Sequence, residues 1–95
     1  MDFIKTLDKN TTILNISNCG LEGELDLSEF VNLEELYCDN NKITTIINIS
    51  SQIKYLHCSF NKLRELDLTW HRELKELYCD CNYLQELPEL PNSLQ

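Results

Sequence analysis

The chain of 95 residues is long enough for one domain, and 8 Lys and Arg against 16 Asp and Glu give a formal net charge of -8. This charge argues against nucleic acid, whose phosphates need a positive surface, and against anionic membranes. It permits a basic protein partner through electrostatic complementarity. No apolar run reaches the length that crosses a bilayer. From the charge and the lack of such a run, we expect neither a nucleic-acid nor a membrane partner.

The first ten residues, MDFIKTLDKN, are acidic and mixed, whereas a secretory signal has a basic stretch followed by an apolar one. We therefore predict no signal and place an N-terminal cap over residues 1–12. A short helix capped by Asp2 would run through Lys9. The alternative is an irregular arm that lays the same apolar side chains on the core. Those side chains are Phe3, Ile4 and Leu7.

The next feature is a pattern that occurs four times between residues 13 and 95. It reads LNISNCGLEGEL from Leu14, LEELYCDNNKITTI from Leu33, IKYLHCSFNKLREL from Ile53 and LKELYCDCNYLQEL from Leu74. The last three copies share the frame L-x-x-L-x-C-x-x-N-x-L-x-x-L. A repeat of about 20 residues predicts stacked units that share a core between neighbours. We therefore assign residues 13–95 to one repeat domain of four units.

Each copy contains a stretch x-L-x-C-x, in which apolar and polar residues alternate. This period of two predicts a short, half-buried strand, and successive copies would pair in parallel. The residues predicted to face inward are Leu14, Ile16, Leu36, Cys38, Leu56, Cys58, Leu77 and Cys79. The return limbs contain β-branched residues, prolines and turn formers, so we predict extended or short 3-10 segments there.

A tight turn follows each predicted strand, and an asparagine follows the turn in three copies, at Asn41, Asn61 and Asn82. An asparagine side chain can bond backbone groups of its own turn and of the adjacent one, which predicts a ladder inside the coil. Cys19 stands at this position in the first copy. A thiol is a weaker donor, so we expect that rung to be looser or differently satisfied.

This frame resembles the leucine-rich repeat family, whose consensus is L-x-x-L-x-L-x-x-N/C-x-L. Cysteine where leucine is usual departs from that consensus, and Cys19 replaces the asparagine that the other three copies carry. The resemblance covers nearly the whole chain. It implies a right-handed, mostly β superhelix of the α/β solenoid type, with four units. The parallel sheet would line the concave face, and irregular or 3-10 limbs the convex one.

Two segments carry a narrower resemblance. NKLRELDLTWHRELKELYCD, from Asn61, is similar to bacterial repeats of the form N-x-L-x-x-L-D-L-S-x-x-x-x-L-x-x-L-x-C. LPELPNSLQ, from Leu87, is similar to the short repeats of secreted bacterial effectors and of giant viruses. This resemblance implies that the partner is a host protein and that the chain acts in the host cytoplasm.

The outward positions of the strands form a grid on the predicted concave face. Members of one column lie ~4.8 Å apart, so Tyr37, His57 and Tyr78 would stack as an aromatic strip flanked by carboxylates. Tyrosine beside acid suits a basic or amphipathic protein segment. The alternative is that these ladders only stabilise an exposed sheet. The predicted partner-binding residues are Glu35, Tyr37, Asp39, Tyr55, His57, Ser59, Glu76, Tyr78 and Asp80.

Catalytic and metal sites are disfavoured by the same geometry. His57 and Cys58 are adjacent, but alternation puts them on opposite faces, which prevents a nucleophile–base pair. Asp39 and Asp80 lie two strands apart, at ~9.6 Å by backbone spacing, too far to share a metal or a proton. The cysteines lack the C-x₂₋₄-C pairs that zinc favours. We therefore predict a non-enzymatic binding module without cofactor or metal.

The five cysteines are an odd number, and three are predicted to face inward. They predict free thiols in a reducing compartment such as the cytoplasm, with Cys81 the most exposed. Trp70 aligns near Phe30, which favours a packing role.

Leu94 stands where a fifth unit would begin, so an open strand edge is expected at the C-terminal end. A homodimer would bury that edge. Two functions are alternatives to binding through the concave face. One is a self-associating scaffold that uses the open C-terminal end, and the other is an acidic inhibitor of a basic protein.

Overall fold

Six short parallel strands lie within residues 6–68 and 71–84, the part of the chain that the computed structural model describes. They are β1 (Ile13–Asn15), β2 (Glu22–Asp26), β3 (Glu35–Tyr37), β4 (Lys42–Ile47), β5 (Tyr55–His57) and β6 (Glu76–Tyr78). The strands stack turn upon turn, with almost no helix in the described residues. The predicted mostly β solenoid is confirmed.

The main sheet contains one strand from each copy of the repeat, in the order β1-β3-β5-β6. Its register joins Leu14 to Leu36, Leu36 to Leu56 and Leu56 to Leu77. The inward leucines therefore stack directly on one another, as the alternation predicted. The strands have only three residues because each is bounded by the next tight turn.

A second parallel sheet forms on the return limbs, where β2 pairs with β4. The sequence predicted extended or 3-10 limbs, and these two limbs are extended and hydrogen-bonded to each other. Lys42–Ile47 contains five β-branched residues, which suit a pleated surface. A register shift between Gly23 and Glu24 places Thr44 opposite no partner, and Gly23 accommodates this bulge at φ 75°.

The core lies between the two sheets and is shared by the stacked turns. Leu36, Leu56 and Cys58 have no exposed surface, and the unit-opening residues Leu33 and Ile53 are equally buried. Leu77 and Cys79 in β6 and its turn were predicted to face inward and are only half-buried. Burial is therefore deepest in the middle units.

The asparagine ladder forms as the sequence predicted. Asn61 donates its side-chain N–H groups to the carbonyls of Cys38 (2.9 Å) and Cys58 (3.1 Å), and its Oδ1 accepts from the Ile43 N–H (3.1 Å). Asn82 makes the same bonds one unit later. Each side chain thus ties two successive turns together and satisfies backbone groups that packing removes from water.

Cys19 is the exception to the ladder. Its thiol is exposed and donates only to the Ser17 carbonyl of its own turn, at a sulfur–oxygen distance of 3.3 Å. Its backbone N–H instead donates to Asn41 Oδ1 (3.1 Å). The rung is therefore differently satisfied, as expected for a thiol.

The remaining fold predictions concern the N-terminal helix, Trp70 and the C-terminal end, and only part of these regions is described. The predicted helix start at Asp2 lies outside the described residues, and the described residues from Leu7 to Asn10 form a turn where the sequence predicted helix through Lys9. The Asp8 carboxylate accepts the Asn10 N–H (2.9 Å), an Asx turn that competes with helix. Trp70 and the expected open end near Leu94 also lie outside the described residues.

Candidate functional site

The outward side of the β1-β3-β5-β6 sheet, called here the four-strand face, carries the predicted aromatic strip. Tyr37 and His57 have ring centroids 4.8 Å apart, and His57 and Tyr78 have theirs 4.5 Å apart. The planes meet at 67° and 61°, so both contacts are edge-on, a favourable arrangement for aromatic pairs. Half of the Tyr78 surface is exposed. The strip arises because the register places these residues directly opposite one another.

Carboxylates from the neighbouring column hold the strip in place. The Tyr37 hydroxyl donates to Glu35 Oε1 at 2.6 Å, and His57 Nε2 lies 2.8 Å from Glu76 Oε1. The hydrogen bond to Glu35 raises the pKa of Tyr37 to about 12, with partial desolvation and nearby negative charge adding to the effect. Tyr55 pairs in register with both glutamates and is half-buried. These contacts orient the rings of Tyr37 and His57.

The third column is joined by hydrogen bonds although it lies just beyond the strands. Ser17 Oγ accepts the Asp39 N–H (3.0 Å), and Asp39 Oδ1 accepts the Ser59 N–H (2.7 Å). The Ser59 hydroxyl in turn donates to Asp80 Oδ1, and this bond holds the pKa of Asp80 below its ordinary value. Ser59 therefore separates the two aspartates and orients both.

The structure brings the nine predicted residues together on one face. All three columns occur in the predicted register or hydrogen-bonded order.

A groove beside this grid includes a residue that the sequence analysis missed. Its lining consists of Asp39, Asn40, His57, Ser59, Phe60, Tyr78 and Asp80. Phe60 is 53% exposed and has φ 57°, in the left-handed region that a bulky side chain rarely adopts. The equivalent residues of the two preceding units are Asn18 and Asn40, also at φ 57°. Aligning the copies would have revealed the substitution of asparagine by phenylalanine.

The candidate catalytic and metal arrangements do not assemble in the described residues. Cys58 is fully buried, and this burial is the main reason why the pKa of its thiol is raised. His57 instead points outward to Glu76. Within residues 6–68 and 71–84, no group of three or more His, Cys, Asp or Glu side chains is arranged to hold a metal ion. The inward cysteines serve as small apolar core residues.

A family model described as Leucine Rich Repeat matches residues 32–51. This segment contains β3, the ladder residue Asn41 and the return strand β4, and the structure repeats its strand and its asparagine in the following units. This match over residues 32–51 supports a leucine-rich repeat protein. Searches of curated proteins and of solved structures gave no significant match.

The match to the leucine-rich repeat family bears on function at a coarse level. Leucine-rich repeat proteins are generally non-enzymatic scaffolds that bind other proteins. Among the described residues, no helix is both long and apolar enough to traverse a bilayer. The family thus indicates a protein-interaction module, and the choice of surface must come from the residues themselves.

Proposed function

We propose that this leucine-rich repeat protein binds a protein partner through the four-strand face, taken as the concave face of the solenoid. The observation that carries the proposal is the aromatic strip of Tyr37, His57 and Tyr78, ordered by ring contacts and held by Glu35 and Glu76. Side chains that are already fixed lose little conformational entropy on binding.

The chemistry of the face favours a basic or amphipathic protein segment. Tyrosine is enriched among residues that dominate binding energy, because it offers a large rigid surface with a polar tip. The carboxylates of Glu35, Asp39, Glu76 and Asp80 give the face a negative charge, in keeping with the formal charge of -8 for the whole chain. Negative potential attracts positive partners and accelerates their association.

The compartment and source of the partner belong to the same proposal. All five cysteines are unpaired, which supports a reducing compartment such as the cytoplasm. The resemblance of the repeats to those of bacterial effectors and giant viruses supports a host protein as partner and the host cytoplasm as location.

The proposal is tested by affinity capture from a host lysate with immobilised protein. The triple variant Tyr37→Ala, His57→Ala, Tyr78→Ala should lose the captured partner, because it removes the strip but no buried core residue. The matched control Val31→Ala, Tyr83→Ala truncates two exposed apolar residues outside the face and should retain the partner. Circular dichroism must show that both variants are folded. Undiminished capture by the triple variant would refute the proposal.

A second candidate function is self-association through the C-terminal end. It is favoured by the half-burial of Leu77 and Leu84, whose equivalents Leu56 and Leu63 are fully buried. Removal of residues 88–95 should then change the sedimentation coefficient, whereas the triple variant should not. A third candidate, inhibition of a basic protein by general acidity, would instead show binding that falls steeply with salt and is insensitive to the triple variant.

A further inference from the structure

The groove beside the aromatic strip has a composition that points to a particular ligand group. It combines two carboxylates with three rings, and neither lysine nor arginine is among the described residues that line it. Asp39 and Asp80 do not contact each other, because Ser59 stands between them and bonds to both. Two separated negative charges beside exposed aromatic surface suit a flat cation with several donors.

Two of the three rings of the groove are largely exposed. Phe60 is 53% exposed and Tyr78 is 50% exposed. Phe60 also occupies the left-handed backbone region, where asparagine serves in the two preceding units. Cys81 of the following unit has the same φ of 57°, so the left-handed turn belongs to every unit, and what distinguishes Phe60 is an exposed aromatic ring at this position.

We propose that this groove receives an arginine side chain of the protein partner. The guanidinium group would lie over Ser59, against the carboxylate oxygens of Asp39 and Asp80 that face the groove, and stack on Phe60 or Tyr78. Arginine fits better than lysine because its planar fork carries five donors and stacks on rings, whereas an ammonium is a compact, strongly hydrated point charge. This inference rests on the proposed function, and it names the group on the partner that the face recognises.

The carboxylates are prepared for this role by their existing bonds. Each has one oxygen engaged by Ser59, and an ionised carboxylate has about four acceptor positions. Capacity for a charge-assisted bond to a guanidinium therefore remains after the Ser59 bonds are made. Substitution by asparagine removes the charge yet keeps an oxygen for Ser59, so Asp39→Asn with Asp80→Asn separates charge from local structure.

The first test is an NMR titration with the tripeptide acetyl-Gly-Arg-Gly-amide. We expect saturable shifts at the amides of Asp39, Ser59, Phe60 and Asp80, with a dissociation constant on the order of 1 mM, as for a small ligand in an open groove. The double variant Asp39→Asn, Asp80→Asn should weaken binding at least tenfold. The control Glu22→Gln, Glu24→Gln removes equal charge from the exposed β2 strand and should bind normally.

Three results would overturn the inference: no saturable shifts, equal binding to the double variant, or equal binding of acetyl-Gly-Lys-Gly-amide. Phe60→Asn should weaken arginine binding severalfold and leave the spectrum of the core unchanged.

Capture of the partner distinguishes this inference from the proposed function. If the aromatic triple variant loses the partner but Asp39→Asn, Asp80→Asn keeps it, the arginine site is wrong and the face remains the binding surface. If the triple variant keeps the partner, the proposed function itself fails, and the arginine site with it. Loss of the partner in both variants supports both.

Discussion

The two sides of one three-residue strand behave differently. In β5 the Leu56 side chain has no exposed surface and sits in a column of leucines, whereas Tyr55 and His57 on the other side are partly exposed and differ from their neighbours. The inner side is uniform because every unit must fit the same shared core. The outer side varies because water tolerates almost any polar or aromatic residue. Stability and the proposed recognition thus depend on alternate residues, which can be altered separately.

The largest expected contrast between the two sides is in thiol reactivity. Cys19 and Cys81 are exposed, whereas Cys38 and Cys58 are buried in the core. A reagent reaches a buried thiol only through unfolding, which for a stable domain costs ~5 kcal/mol or more. We expect Cys38 and Cys58 to react with a chromogenic disulfide at least about a thousandfold more slowly. Mass spectrometry of time points assigns the sites, and rapid labelling of Cys38 would contradict the buried ladder.

The buried thiols also predict a loss of stability at alkaline pH. Burial, aided by the charge of Asp39, raises the pKa of Cys38 from 9.0 to about 12. Because the pKa of Cys38 is higher in the folded chain than in the unfolded chain, the protonated thiol stabilises the folded state. This stabilisation is complete below pH 9 and is lost as the pH rises from 9 towards 12. Urea unfolding of Cys38→Ala should therefore depend less on pH in this window than that of the wild type. Cys81→Ala is the control and should keep the wild-type dependence.

The next largest effect should come from the asparagine ladder. Asn61→Ala leaves the Ile43 N–H and three carbonyls without their side-chain partner in a buried position. We expect a loss of about 3 kcal/mol in the free energy of unfolding. Asn10→Ala removes an exposed asparagine and should cost less than about 0.5 kcal/mol. Equal effects in urea titrations would show that the ladder contributes little.

The smallest expected effect has the opposite sign and lies on the outer side. Phe60→Asn restores the residue type that the two preceding units use at φ 57° and should raise the free energy of unfolding by about 1 kcal/mol. The mirror variant Asn40→Phe should lower it by a similar amount. Thermal unfolding measures both. A destabilised Phe60→Asn would mean that Phe60 packs usefully and is not strained for a ligand.

The main sheet could be predicted from the sequence because its determinants are local and repeated. Alternation fixes which of Leu36 and Tyr37 faces the core, and the repeat length fixes the register. The pairing of Tyr37 with His57 and Tyr78 follows from these two facts alone. The sequence was sufficient to predict the structure wherever the repeat fixes how a residue of one unit pairs with its equivalent in the next.

The remaining features depend on contacts that the repeat frame does not encode. The β2–β4 sheet needs two unlike limbs, EGELD and KITTII, to meet across a bulge at Gly23. The double role of Ser59 depends on which rotamers its two aspartate neighbours adopt. Phe60 was overlooked because the strand pattern ends before it, although its position among the copies was readable. The three columns of outward residues could therefore be predicted from the sequence, whereas the groove that includes Phe60 could not be predicted from the strand pattern.

The ladder also gives the molecule a direction. Each asparagine reaches back to the preceding turn, Asn41 to the Leu21 N–H, Asn61 to the Ile43 N–H and Asn82 to the Leu63 N–H. When a turn unfolds from the C-terminal end, the preceding turn therefore loses the asparagine side chain that is bonded to it. When a turn unfolds from the N-terminal end, the asparagines that bond the later turns to one another stay in place. Mechanical unravelling should accordingly be asymmetric, each released turn loosening the one before it when the pull comes from the C-terminal side.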